Sequence, residues 1–181
     1  MARPDPFPAD TPDDPDSLSF IIDHDDGHEF DCNVDAGEWR DVLTPEFTTR
    51  MAAILGMALA QQKTGATEIA LLFTSDDAVA ALNQIHRDKS GPTDVLSFPS
   101  GEDEFLGDIA LAYGVMARQA QDMNIPLADH TLHLVLHGTL HLCGHDHIEE
   151  AEAEVMEGLE IDILARHGLT NPYQLTDGGA S

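Results

Sequence analysis

The sequence predicts a single α+β domain, a small mixed sheet of four strands packed with about five helices. Three observations lead there. Short apolar runs bounded by turn residues alternate with longer segments whose apolar residues recur at helical spacing. No internal repeat and no linker divides the chain. Its 181 residues suit one domain with a real core. The domain is expected over residues 18–170. An acidic, proline-rich disordered tail is expected over 1–17 and a frayed tail over 171–181.

Ser19 to Ile22 reads as a first short strand, and Asp23 to Asp35 as an acidic turn region. Thr44-Pro45-Glu46 starts a helix, with Thr as cap and Pro in the first turn. Phe47, Met51, Ile54, Leu55, Ala58 and Leu59 carry its apolar face to about Lys63, and Gly65 is the expected stop. Glu68 to Phe73 is a compact apolar strand. Ser75 caps a helix from Asp76 to about His86, with Val79, Leu82 and Ile85 on one face. Arg87 to Pro92 is a polar loop ending in Gly91-Pro92. Val95 to Phe98 and Gly107 to Ala112 read as strands joined by the acidic turn Ser100 to Glu104. Three helices follow: Tyr113 to about Met123, Leu127 to Leu142, and Ile148 to His167. The last has Val155, Leu159, Ile161, Ile163 and Leu164 as candidates for burial.

Composition narrows the class. Apolar residues make up 42% of the chain, yet no run reaches the roughly 20 that a membrane helix needs. The N-terminus lacks the basic start and apolar stretch of a secretory signal. With no export signal and only Cys32 and Cys143, a disulfide framework is not expected and a reducing cytoplasm is. The net charge is −26, from 34 acids and 8 bases. The first 41 residues hold 13 acids against Arg3 and Arg40, leaving 21 acids against 6 bases. Such a surface repels a polyanion, so a nucleic acid has to bind through a small local patch or a metal.

Six of the ten histidines lie between His130 and His147. His137 and His141 are four apart, so on a helix they stand on one face a turn apart and can grip one ion. Gly144 tolerates the positive φ of a sharp turn that brings His147 back as a third ligand. Three protein ligands leave a fourth position for water, the pattern of a catalytic zinc site. Imidazole also suits copper, nickel and iron. The spacing of His137, His141, Gly144 and His147 is similar to the zinc motif of metzincin proteases, which favours His147 over its competitor His145. His133, one turn before His137, either faces the metal or supports it from behind. Cys143 is a possible ligand or a packing residue. His24, His28, His130 and His167 read as solvated or capping side chains.

The metzincin motif has Glu directly after its first His, where it is the general base. Here that position is Gly138, so the peptidase mechanism lacks its base. Asp108 or Asp146 is the candidate substitute for it, although nothing in the sequence places either one at the site.

His137-Gly-Thr-Leu-His141-Leu-Cys-Gly144-His145-Asp146-His147 resembles the motif of the YbeY family, bacterial endoribonucleases of ribosomal-RNA maturation. Leu82-Asn83-Gln84-Ile85-His86-Arg87 followed by Pro92 to Pro99 resembles a second family block, and Leu106-Gly107-Asp108-Ile109 a third. Glu152-Ala153 and Met156 fall where its last helix has similar residues. The family usually has Tyr where this chain has His86 and His145.

The resemblance implies one zinc ion per chain on His137, His141 and His147, with Arg87 and His141 as catalytic residues. It implies single-strand-acting endoribonuclease activity in small-subunit ribosomal-RNA 3′-end maturation, and a role in ribosome quality control. The implied partners are ribosomal RNA and the small subunit, with ribosomal proteins or a GTPase assembly factor, and neither membrane nor DNA. Arg87 then stabilises charge on the phosphate; the alternative is a surface salt bridge to Asp88. Lys89 either holds the RNA backbone or is a solvated loop lysine. Asp94 and Asp108 either orient the site or cap a turn or strand. Two other readings stand beside this one: a zinc hydrolase of another substrate, such as a peptide, and a ribosome-assembly factor with structural zinc.

Overall fold

The computed structural model describes residues 17–174. The expected N-terminal tail lies outside the described residues up to 16, as does the C-terminal segment 175–181. The element order is β1 (Leu18–Asp23), β2 (Glu29–Val34), α1 (Pro45–Gln62), β3 (Glu68–Thr74), α2 (Asp76–Arg87), β4 (Val95–Pro99), β5 (Phe105–Ala112), α3 (Tyr113–Met123), α4 (Leu127–Leu142) and α5 (Glu150–Arg166). A short 3-10 turn, Gly37–Asp41, precedes α1.

The strands form one mixed sheet in the order β1-β2-β3-β5-β4. β1 with β2 and β4 with β5 are antiparallel hairpins, while β2, β3 and β5 run parallel. The expected fold class holds, with five strands in place of four. The missed strand is β2, inside the acidic stretch read as turn. Phe30, Cys32 and Val34 are buried in it, while Asp31 is exposed and Glu29 and Asn33 are half-buried. Its acids fall on the outward positions, where a strand of period two can carry them.

The main core lies on one face of the sheet. There Phe30, Cys32 and Val34 of β2, Ile69, Leu71 and Phe73 of β3, and Ile109 and Leu111 of β5 pack against α1, α4 and α5. A smaller cluster on the other face joins Leu72, Leu96 and Ala110 to Val79 and Leu82 of α2. Buried Trp39 closes the end of the main core, donating from Nε1 to the Thr74 carbonyl at 2.9 Å. Full burial of each large apolar side chain contributes about 1.5–3 kcal/mol, so the face covered by three helices dominates stability.

Local signals account for most boundaries. The Thr44 hydroxyl accepts from Phe47 N at 3.2 Å and the Ser75 hydroxyl from Ala78 N at 3.3 Å, capping α1 and α2. The stop of α1 differs from expectation: Lys63, not Gly65, takes the left-handed conformation, at φ 51°. In α5, Ile163 and Leu164 are buried and Leu159 and Ile161 half-buried, but Val155 is exposed and Met156 buried in its stead. After α5 the chain stays docked. Tyr173 packs edge-on to His133 with ring centroids 5.8 Å apart, so the segment expected to fray is held at least that far. Among the described residues no helix is long and apolar enough to cross a membrane.

Candidate metal centre

α4 is the central helix, packed on α1, α3 and α5 and on β4 and β5. It presents His137 and His141 one turn apart, with ring centroids 4.6 Å and Nε2 atoms 3.1 Å apart. Two nitrogens sharing one tetrahedral zinc stand about 3.3 Å apart, given Zn–N near 2.05 Å. Gly144 turns the chain at φ 95°, and the amides of Gly144 and His145 close the helix end on the His141 and Leu140 carbonyls. The turn returns His147, whose ring lies 5.5 Å from that of His137 and 5.0 Å from that of His141. One ligand atom from each of the three lies within 4.8 Å of the others. The three-histidine cluster that spacing predicts is therefore assembled.

The far sides of the first two rings fix their tautomers. His141 Nδ1 lies 2.9 Å from the His145 carbonyl, and His137 Nδ1 lies 2.6 Å from Glu160 Oε1. A carbonyl or carboxylate oxygen only accepts, so each Nδ1 carries the proton and each Nε2 lone pair faces the cluster. Burial, then the neighbouring His137, lowers the His141 pKa and keeps that ring neutral, as a ligand must be. Asp146 Oδ1 lies 3.5 Å from His147 Nδ1 and accepts from the His147 amide at 2.7 Å.

Glu160 is the residue that sequence reasoning missed. Its side chain is fully buried, and it also receives the Tyr173 hydroxyl and lies 3.5 Å from His133 Nε2. Burial by itself raises its pKa, but hydrogen bonds from His133 and His137, with the charge those rings carry when protonated, outweigh this and lower it to about 2. Its signal was present: it falls four after Met156 and three before Ile163, an acid on the apolar face of α5.

The other candidates separate cleanly. His145 turns away to Gln62 Oε1 at 2.6 Å, so it is not in the cluster. Cys143 is outside it too, and burial pushes its thiol up to about 11. His133 stands behind His137 on Glu160. His130, read from sequence as a solvated or capping side chain, is buried, with Nε2 2.8 Å from Gln119 Oε1. His86 lies against Phe98, ring centroids 5.0 Å apart, not among the ligands.

The cluster opens onto a cleft of about 620 Å³ that Arg87 and Lys89 also line. Arg87 Nη2 donates to the Ser97 carbonyl at 3.2 Å, and among the described residues the guanidinium has no carboxylate partner. Asp88, the expected partner, accepts from Gln84 instead. Asp94 accepts from Val95 N at 2.7 Å and Gln119 Nε2 at 3.1 Å, which pins the start of β4 beside the cleft. Asp108 is buried in β5, opposite Phe98 of β4. Gly138 faces the sheet: a Cβ there would lie 3.0 Å from Ser97 Oγ and 3.1 Å from Ile109 Cγ2. Its carbonyl accepts from Ser97 Oγ at 3.1 Å, so the missing side chain lets α4 seat closely on β4 and β5.

Fold and geometry define an α+β domain with an open three-histidine site able to hold a metal ion, in a cleft that also carries two cations. The family described as Endoribonuclease YbeY matches residues 33–168, and the chain belongs to that family. Endoribonuclease YbeY of Maricaulis maris is 53% identical over 113 residues, covering 61% of this chain and 71% of the relative. That of Rhodopseudomonas palustris is 38% identical over 180 residues, covering 93% and 95%. A solution structure of a Thermotoga maritima protein shares the fold, with TM-score 0.52 and 24% identity over 84% of this chain and 99% of that one.

Proposed function

We propose that this chain is a zinc-dependent endoribonuclease that cuts single-stranded RNA, serving small-subunit ribosomal-RNA 3′-end maturation and ribosome quality control. One observation carries the reading: inward Nε2 lone pairs of His137 and His141, joined by His147, share a cleft with Arg87. Three imidazoles match the donor set of a catalytic zinc, and among the described residues the group has no fourth protein ligand. Zinc held there supplies Lewis acidity and makes water a stronger acid.

The chain's own groups do the rest. Arg87, exposed and without a carboxylate partner among the described residues, takes the phosphate with its fork of donors and stabilises charge that builds up on it. Lys89 adds a second cation for the backbone in the same cleft. Glu160 and the His145 carbonyl hold two ligand rings in register, and Asp146 steadies the third. This local patch is how a protein of net charge −26 accepts a polyanion.

A peptidase reading is disfavoured because position 138 faces the sheet and offers no place for the usual base. The acidic surface favours a second reading, an assembly factor with structural zinc, but a structural site is ordinarily closed by four ligands. The decisive experiment incubates metal-analysed protein with precursor small-subunit RNA in its particle, and with casein, each with and without chelator. RNA is cut only with metal and casein is untouched. Cleavage of casein, or RNA cleavage indifferent to the chelator, overturns the reading.

A further inference from the structure

A second group of ligating side chains lies outside this cleft, in the loop that joins β1 to β2. The loop reads His24-Asp25-Asp26-Gly27-His28. The β1–β2 register, Ile22 opposite Phe30 and Asp23 opposite Glu29, runs on to place His24 opposite His28, and His24 N donates to the His28 carbonyl at 2.8 Å. Residues directly opposite in an antiparallel pair project to the same face. That face is the one on which Phe30, Cys32 and Val34 are buried, so the two imidazoles end the core-facing row beside α1. Gly27, at φ 89°, folds the tip so that Asp26 reaches back between them.

The result is convergence on one point. Asp26 Oδ1 lies 2.6 Å from His24 Nδ1 and 2.7 Å from His28 Nδ1. Both nitrogens are withdrawn from solvent and face the Asp26 carboxylate. One ligand atom from each residue lies within 4.8 Å of the others, as is also true of His137, His141 and His147. α1 makes room for the group. A Cβ on Gly56 would lie 2.8 Å from His24 Cε1 and 3.0 Å from Asp26 Oδ2. Glycine inside a helix costs about 1 kcal/mol relative to alanine, and here the missing methyl is what leaves the cluster its space.

We propose that His24, Asp26 and His28 form a second site for a divalent transition-metal ion, of the zinc class, that pins the β1–β2 hairpin. Two imidazoles and one carboxylate are the donors that such ions take. The group does not line the cleft of the first site, so its role is to hold the turn of the edge hairpin and not to meet RNA.

The test counts zinc bound to the full chain by equilibrium dialysis and metal analysis. The unaltered protein binds two zinc ions. His24→Ala/His28→Ala loses one and keeps RNA cleavage, His141→Ala loses the other, and the combination binds none. Asp26→Asn and Gly56→Ala, which leave both imidazoles in place, each lose the hairpin ion. One zinc in the unaltered protein that survives His24→Ala/His28→Ala, or two in that variant, overturns the proposal. Retention by His141→Ala counts against the first site alone, so the two failures are distinguishable.

Discussion

The two histidine clusters make an instructive pair. Each gathers three ligating side chains around a turn made by a glycine at positive φ, Gly144 in one and Gly27 in the other. The α4 cluster opens into a cleft that holds Arg87 and Lys89, and buried Glu160 backs one of its rings. The hairpin cluster sits against Gly56 on α1, and its residues line no part of that cleft. A ligand set alone therefore does not make a catalytic site. On the proposed reading, access for substrate and a cation to meet the phosphate do, and of the two clusters the first has them.

The comparison breaks most sharply at the ligands. His141→Ala should lose its metal and reduce RNA cleavage to background, while His28→Ala should leave cleavage intact; metal analysis beside a cleavage assay reads both. Next in size is Arg87→Ala, which should keep metal and fold but cut more slowly by about 100- to 1,000-fold, the usual cost of one lost transition-state donor. Wild-type rates in that variant would take Arg87 out of the mechanism. Glu160→Gln, nearly the same shape, should weaken zinc at the first site by about 10- to 100-fold, the range for losing a carboxylate behind a ligand histidine. Competition with a chromogenic chelator measures it, and an unchanged affinity would reduce Glu160 to a packing residue.

A smaller effect is expected at Gly138. Alanine there meets Ser97 and Ile109 and should cost about 1–3 kcal/mol of stability. Urea denaturation reads this, and no change would mean that α4 does not need its close seat. Smallest of all, Cys143→Ala should leave the metal content as it is, and the native thiol, held up at about 11, should react slowly with iodoacetamide at neutral pH.

Much of the fold was readable before any coordinates. The caps of α1 and α2, the apolar spacing of α1 and the β4–β5 hairpin all follow from local rules, whereas on α2 only Val79 and Leu82 of the expected face are buried and Ile85 is exposed. β2 was hidden because Glu29, Asp31 and Asn33 draw the eye to turn chemistry, although Phe30, Cys32 and Val34 alternate as a half-buried strand should. The metal cluster was readable because its parts are close in sequence: a helical turn sets two residues, and one glycine sets the third. Glu160 was not readable as part of it, since α5 meets α4 only after the chain has folded.

By itself the sequence determined the helix that carries two ligands, the turn that returns the third, and an acidic surface on which Arg87 is scarce positive charge. Those are short-range matters of backbone geometry and composition. Tertiary packing decided where the competing His145 goes, which carboxylate backs the cluster, and why glycine stands at 138. Each of those depends on side chains far apart along the chain meeting at van der Waals distance, which no local pattern records.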